Sequence, residues 1–343
     1  MMRLSALFRH PLMWPVATLV CLFAIDVDHR ANFLSITLLS GHLFGAPIDI
    51  LMNAAPLVVV SLGMTLVIAT RGIDISVGAV VAIAGAAAAT VLADDPSHVP
   101  AAFGAALAVG LLAGMWNGLL VAFVGMQPII ATLILMVAGR GVAQLLTDGQ
   151  IIPIGAPGYL FAGGGYFALV PCDVWITLAV TIVTALIVNQ TALGLFIRSI
   201  GVNPVAARLA GLSSQAVVFG TYAFCGLTAA IAGVLISSNV RSADGNNAGL
   251  LLELDAILAV TLGGTSLAGG RFSLAGTVLG ALIIQTLTYT TYSIGVPPEA
   301  TLVVKAVVVL LVTLIQSQAA RAFAARQLRR AANVRRTRAR ARA

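Results

Sequence analysis

The stretch ISVGAVVAIAGAAAATVLA, residues 75–93, contains nineteen residues without one ionisable side chain. An α-helix needs about 20 apolar residues to cross the hydrocarbon core of a bilayer. The apolar residues of this stretch are continuous rather than alternating, which favours a membrane helix over a strand of a membrane β-barrel. The stretch therefore predicts a transmembrane helix in a protein of the all-α class.

The rest of the chain is similar in composition. Hydrophobic residues make up 59% of the 343 positions and charged residues only 9%, whereas soluble domains carry about 25% charge. The hydropathy pattern predicts a polytopic helical membrane protein, a bundle of about ten transmembrane helices. The ten predicted spans are Leu12–Ile25, Ile48–Thr70, Ile75–Ala93, Pro100–Val124, Pro128–Thr147, Pro171–Asn189, Gln215–Val240, Leu251–Ala268, Phe272–Ser293 and Pro298–Gln316. Residues 148–170 are polar and glycine-rich and contain two prolines, and they predict a loop that lies on the membrane surface or dips into it.

The placement of arginines predicts the orientation, because positively charged loops favour the cytoplasm. With ten spans and a cytoplasmic N-terminus, only Arg30 and Arg241 lie in outer loops, and Arg140 and Lys305 lie within spans. The fifteen remaining cations fall inside: Arg3, Arg9, Arg71, Arg198, Arg208, Arg271 and the nine arginines of the tail. Both termini are therefore expected in the cytoplasm.

The chain divides into a transmembrane domain, 1–318, and an arginine-rich cytoplasmic tail, 319–343. A basic tail of this kind is compatible with nucleic-acid binding. Contact with anionic lipid headgroups explains it without a further partner, so we expect membrane lipid and no nucleic acid.

No catalytic centre is apparent in the sequence. The cysteines and histidines have no metal-binding spacing, and we expect neither a metal nor another cofactor. Lys305 is the only lysine, and it is followed by alanine, whereas the phosphate-binding loop of ATPases requires Gly-Lys-Ser/Thr. If ATP drives this protein, the ATPase is a separate polypeptide.

One short segment differs from the spans. GVNPVAARLAG, residues 201–211, offers Asn203 as a helix N-cap, Pro204 at the first helical position and Gly211 after the end. The helix between them, Pro204 to Ala210, is too short to be stable alone. Val205 and Leu209 give it one apolar stripe, which could dock on another protein, on its own bundle or on lipid headgroups.

Long blocks of the chain resemble one family. TALGLFIRSIGVNPVAARLAGL, LELDAILAVTLGGTSLAGGRFSLAGTVLGALIIQTL and GMTLVIATRGIDISVGAVVAIAG resemble the permease subunits of bacterial ATP-binding-cassette (ABC) sugar importers. These belong to the wider branched-chain amino acid/ribose permease family. HLFGAPIDILMNAAP, ILMVAGRGVAQLLTDGQI and RSADGNNAGLLLELDAILAV are most similar to the galactofuranose permeases.

The resemblance implies import of a monosaccharide, galactofuranose-like or ribose-like, by a transport subunit that is not an enzyme. It implies three protein partners: a cytoplasmic ABC ATPase, a periplasmic sugar-binding protein and a second permease chain, identical or paralogous. A cytoplasmic loop, about 190–214, would carry the helix that couples the permease to the ATPase. The coupling residues would be Asn203, Pro204, Val205, Ala206, Ala207, Arg208, Leu209 and Gly211. The family's commoner Glu-Ala-Ala is replaced here by Val205-Ala206-Ala207, so the ion pair made by that glutamate is not expected.

Polar residues inside spans are costly and usually face a pathway or one another. The candidates are Asn53, Asn117, Arg140, Gln144, Asp255, Gln285 and Lys305. Each is compatible with a low-affinity path for a sugar and equally with hydrogen bonding between helices. Asp255 is a candidate counter-ion for Lys305, and a helix start also explains Glu253 and Asp255. The alternative function is an ion-coupled secondary transporter of a small polar solute, which would need intramembrane carboxylates for its ion.

Overall fold

The computed structural model describes residues 12–30, 32–39 and 41–316. Arg3, Arg9 and the basic tail 319–343 lie outside the described residues. The chain divides into two compact units, Met1–Thr290 and Thr291–Ala343.

The described residues are largely helical. The helices are α1 (Met13–His29), α2 (Ala46–Ala69), α3 (Val77–Asp94), α4 (Val99–Leu119), α5 (Pro128–Leu146), α6 (Pro157–Gly164), α7 (Cys172–Gln190), α8 (Leu193–Val202), α9 (Pro204–Leu209), α10 (Ser214–Val240), α11 (Leu252–Leu262), α12 (Leu274–Ser293) and α13 (Pro298–Gln316). A π-helical turn, Leu120–Val124, extends α4.

Seven of these helices are long and apolar enough to cross a membrane: α2, α3, α4 with its π-helical turn, α5, α7, α10 and α12. Nine of the ten predicted spans coincide with a helix to within four residues at each end. The prediction for Leu251–Ala268 is wrong in length, because helix α11 ends at Leu262. Gly264 has a φ of +85°, and Thr265 N–H donates to the Val260 carbonyl, a geometry that terminates a helix.

The predicted surface loop 148–170 also contains more structure than expected. It holds helix α6 and the strands β3 (Ile151–Pro153) and β4 (Tyr166–Phe167). Tyr159 in α6 is fully buried, and its hydroxyl lies 2.8 Å from Ser237 Oγ on α10. This segment therefore packs against helix α10 of the bundle.

The short strands join connecting segments to one another. β1 (Thr37–Leu39) pairs with β2 (His42–Phe44), and β4 pairs with β5 (Val170–Pro171), both antiparallel. β3 pairs antiparallel with β6 (Ser242–Asp244), in the register Ile152 opposite Ala243. Leu43 N–H also donates to the Leu169 carbonyl at 3.0 Å. The connecting segments predicted to lie on the outer side of the membrane are therefore hydrogen-bonded to one another.

Small residues allow helix α10 to pack closely in the centre of the first unit. A Cβ added to Gly226 would lie 2.2 Å from the Gly110 carbonyl oxygen and 2.7 Å from Gly114 Cα. Gly118 of α4 likewise lies against Phe219 of α10. Because lipid gives helices no hydrophobic drive to associate, this backbone approach is a main source of stability.

Gly114→Val is therefore expected to destabilise the bundle by about 1–3 kcal/mol, as overpacking does elsewhere. A Cβ at Gly114 would lie 2.4 Å from the Tyr222 carbonyl oxygen. Gly104→Val on the same helix is the control, because no atom lies within 4 Å of its added Cβ. Thermal unfolding of the purified protein in detergent measures the difference, and equal midpoints for the two variants would contradict this packing.

Candidate coupling helix and transport cavity

Helix α9 begins as its sequence predicts. Asn203 has an extended backbone with φ of −155°, and its Oδ1 accepts hydrogen bonds from Val205 N at 3.1 Å and Ala206 N at 3.0 Å. Pro204 occupies the first helical position, where no backbone N–H is required. The N-cap predicted at Asn203 is therefore confirmed.

The end of α9 is equally sharp. Gly211 adopts the left-handed conformation with φ of +84°. Gly211 N–H donates to the Arg208 carbonyl at 2.9 Å, and Leu212 N–H donates to the Ala207 carbonyl at 3.0 Å. These two backbone hydrogen bonds together form the Schellman motif. The helix ends at Leu209, one residue earlier than predicted.

The side chains of α9 divide between a covered face and an open one. Leu209 is 86% exposed and Val205 60% exposed, so the predicted apolar stripe is uncovered in the chain by itself. Ala207 is only 5% exposed and faces the body of the protein. A bulky residue at Ala207 would disturb the packing of α9 on the rest of the chain. A substitution at the exposed Leu209 therefore tests the role of the open stripe without changing that packing.

A cavity of about 240 Å³ lies among helices α2, α7, α10, α11 and α12. It is near the small end of the size range of ligand pockets, ~300–1,000 Å³. Its polar lining combines carboxylates and amides, and its apolar lining comes from the surrounding helices. The lining residues are Met52, Asn53, Pro56, Leu57, Asp173, Leu235, Ile236, Asn239, Val240, Leu252, Asp255 and Gln285.

Three of the seven predicted pathway residues line this cavity: Asn53, Asp255 and Gln285. Asp173 and Asn239 line it too, and neither was predicted from the sequence. Asp173 is 2% exposed, and its Oδ1 accepts a hydrogen bond from Val174 N at 2.7 Å. Its signal in the sequence was a carboxylate in the first turn of a span.

Asn117 lies elsewhere, in the fully buried interior. Its Nδ2 lies 2.8 Å from Ser76 Oγ and 3.3 Å from Asp74 Oδ1. Ser76 Oγ in turn donates to Asp74 Oδ1 at 2.6 Å. In this conformation Asn117 therefore fixes the segment between α2 and α3, and it is not among the residues of the cavity.

Arg140 and Gln144 hold the segment between α10 and α11. Arg140 Nη1 donates to the Ala248 carbonyl at 2.7 Å, and Gln144 Nε2 donates to Asn246 Oδ1 at 2.8 Å. These contacts match the interpretation of hydrogen bonding within the bundle. Lys305 lies on α13 in the second unit and is partly buried.

Asp244 shapes the same segment. Its Oδ1 accepts hydrogen bonds from Asn246 N at 2.8 Å and Asn247 N at 3.1 Å. Partial burial acts to raise the pKa of Asp244, but these bonds, the Asn247 side chain and the charge of Arg140 outweigh it, so the pKa lies below its usual value. The carboxylate thus remains ionised as the acceptor that orders this turn.

A bundle of membrane-length helices around a small polar cavity, with a capped helix presenting an uncovered apolar stripe, defines an integral membrane transport protein. Residues 46–313 match the family model described as branched-chain amino acid transport system / permease component. The chain belongs to this family. It is a permease subunit of an ABC importer, a transport subunit and not an enzyme, and it is a multi-pass protein of the bacterial inner membrane.

Three relatives illustrate the similarity. The chain is 50% identical over 312 residues to the galactofuranose transporter permease protein of Escherichia coli (strain K12), covering 91% of each chain. It is 40% identical over 313 residues to the fructose import permease protein of Bifidobacterium longum (strain NCC 2705), covering 89% of this chain and 87% of the relative. It is 38% identical over 304 residues to the ribose import permease protein of Escherichia coli (strain K12), covering 88% and 92%. No solved structure matches the chain.

Proposed function

We propose that this permease moves a monosaccharide, galactofuranose-like or ribose-like, into the cytoplasm. The observation that carries the proposal is the small cavity lined by Asn53, Asp173, Asn239, Asp255 and Gln285. Amides donate and accept hydrogen bonds and carboxylates accept them, so this set matches the hydroxyl groups of a neutral sugar. The names of the relatives, which concern galactofuranose, fructose and ribose, agree with this class of substrate.

Six of the seven predicted pathway residues have one of two roles in this proposal. Asn53, Asp255 and Gln285 line the sugar path together with Asp173 and Asn239. Asn117, Arg140 and Gln144 maintain the framework around it through the hydrogen bonds described above. Lys305 belongs to the path in the sequence interpretation, and its role stays a prediction.

The partners are a cytoplasmic ABC ATPase, a periplasmic sugar-binding protein and a second permease chain, identical or paralogous. The loop 190–214 would meet the ATPase through helix α9. The proposed coupling residues are Asn203, Pro204, Val205, Ala206, Ala207, Arg208, Leu209 and Gly211. Support comes from the caps that fix the helix and from its exposed stripe, which offers an apolar surface for contact with another protein.

The proposed topology has about ten crossings, with both termini in the cytoplasm. Helices α1, α11 and α13 would complete the seven that are long enough by themselves, forming a transmembrane domain, 1–318, followed by the tail, 319–343. Support comes from the connecting segments. The connecting segments assigned to the outer side pair with one another, as β3 does with β6. The segments assigned to the cytoplasmic side meet at Arg71, whose side chain donates a hydrogen bond to the end of α8.

One observation favours the alternative, an ion-coupled transporter. Among the described residues four carboxylates are buried, Asp26, Asp74, Asp173 and Glu253, and acids inside a membrane protein mark ion pathways and proton relays. Membership of the family and the uncovered stripe of α9 favour the ATP-driven mechanism.

Proteoliposomes that contain the chain with its co-purified partners separate the two mechanisms. We expect sugar uptake to require ATP on the side of the ATPase and to be unchanged by an ionophore that collapses ion gradients. A substitution of the phosphate-loop lysine of the ATPase partner is the control, and it should abolish uptake. Uptake that persists with this control and is lost with the ionophore would support the alternative and contradict the proposal.

A further inference from the structure

Three inner segments of the first unit meet around one arginine. Arg71 Nε donates to the Gly201 carbonyl at 2.7 Å, and Arg71 Nη2 donates to the Val202 carbonyl at 2.6 Å. These carbonyls belong to the last turn of helix α8, where no intrahelical donor is available. Gly270 N–H donates to the Ala69 carbonyl at 2.9 Å. We call Ala69, Arg71, Gly201, Val202 and Gly270 the Arg71 junction.

The backbones of the Arg71 junction are in direct contact. A Cβ added to Gly201 would lie 2.0 Å from the Ala69 carbonyl oxygen and 2.3 Å from Gly270 N. No side chain fits between these segments. A displacement of the end of α8 must therefore move the end of α2 and the turn at Gly270 with it, because packed interiors transmit strain.

The backbone of Arg71 is itself unfavourable for an arginine. Its φ is +68°, a conformation that costs an L-residue other than glycine roughly 1–2 kcal/mol. A glycine at position 71 would adopt this backbone conformation without that cost. The guanidinium contacts therefore account for an arginine at a position whose backbone favours glycine.

The Arg71 junction connects helix α9 to the cavity. Val202 is followed directly by Asn203, the N-cap of α9. On the other side, Ala69 ends α2, whose Asn53 lines the cavity ~24 Å away along the helix axis. The turn at Gly270 follows α11, whose Asp255 lines the cavity as well.

We propose that Arg71 is the positioning residue that transmits movement of helix α9 to the two cavity-lining helices α2 and α11. Its charged hydrogen bonds hold the end of α8 against the end of α2, so that α9 and α2 move as one body. This role rests on the proposed function of α9 as the contact with the ATPase. Arg71 touches neither the sugar cavity nor the exposed stripe.

The test measures sugar uptake and ATP hydrolysis in the same proteoliposomes with the co-purified partners. Arg71→Gly removes both guanidinium hydrogen bonds and relieves the left-handed backbone, so the turn is retained. We expect the sugar transported per ATP hydrolysed to fall about fivefold or more, while the complex assembles normally. Arg71→Lys, which keeps a donor and a charge, should recover part of the ratio.

Arg271→Gly is the matched control, because Arg271 is exposed and lies one residue beyond Gly270. Its removal changes the charge of the same surface by the same amount, and the transport ratio should stay at the wild-type value. If Arg71→Gly cannot be purified, Arg71→Gln serves in its place and should lower the ratio by a smaller factor. A wild-type ratio of sugar transported per ATP hydrolysed in Arg71→Gly, or in Arg71→Gln where it replaces Arg71→Gly, overturns the proposal.

A double-mutant comparison with Leu209→Asp separates this inference from the function on which it rests. If Leu209→Asp is without effect, the assignment of α9 as the ATPase contact is wrong. If Leu209→Asp uncouples transport and Arg71→Gly does not, only the role of Arg71 is wrong. We expect each single variant to lower the sugar transported per ATP hydrolysed. The fold-loss in the double variant should be smaller than the product of the two single fold-losses, since the two residues act in series.

Discussion

Leu209→Asp is expected to lower sugar uptake by roughly 30-fold, the effect of losing one interface contact worth ~2 kcal/mol. Leu209 is 86% exposed, so its replacement removes no packing from the permease itself. The aspartate would instead bring an unpaired charge into the proposed apolar contact with the ATPase. Uptake and ATP hydrolysis in proteoliposomes with the co-purified partners measure the loss.

Two variants of the same segment control for this result. Leu209→Met keeps an apolar side chain at the stripe and should transport normally. Ala210→Asp adds the same charge at the exposed neighbouring residue, outside the stripe of Val205 and Leu209, and should have a much smaller effect. Wild-type uptake in Leu209→Asp, or an equal loss in Ala210→Asp, would show that the stripe is not the contact.

Asp173→Leu is expected to lower uptake roughly 5- to 100-fold, since a buried polar group left without its hydrogen-bond partner costs about 1–3 kcal/mol. Asp173 is buried and lines the cavity, where its carboxylate would accept hydrogen bonds from sugar hydroxyls. Leucine has the same number and branching of side-chain heavy atoms as aspartate but is larger, so the folding of the variant is measured as well. The measurement is uptake of labelled sugar against concentration, together with thermal unfolding of each variant.

Asp49→Asn provides the comparison for Asp173. Asp49 lies in the first turn of α2, one helical turn before Asn53, but it is exposed and is not among the residues that line the cavity. Its neutralisation should leave uptake unchanged. Unchanged uptake in Asp173→Leu, with unfolding like that of the wild type, would remove this residue from the path.

Local chemistry made parts of the structure predictable. Asn203 and Gly211 define helix α9 because capping depends on residues only a few positions apart. The helix of residues 75–93 follows from its uninterrupted apolar composition. The early end of α11 also had a local signal, the Gly263-Gly264 pair, but the apolar residues around it made the span look longer.

The candidate site was less predictable, because it depends on which helices become neighbours. Asn53 and Asn117 are both amides within apolar spans, and nothing in their local sequence distinguishes them. The structure places Asn53 at the cavity and Asn117 against Asp74 and Ser76. Asp173 was overlooked for a related reason, since a carboxylate in the first turn of a helix is also explained by the helix dipole.

The most direct test of the account is photo-cross-linking from position 209 in native membranes. A benzophenone amino acid replaces Leu209, and the same residue at Leu250, which is 59% exposed in the segment assigned to the outer side, serves as the control. We predict that position 209 cross-links to the ABC ATPase and that position 250 does not. Cross-links from position 209 only to this chain or to lipid would contradict the assignment of helix α9 as the coupling helix.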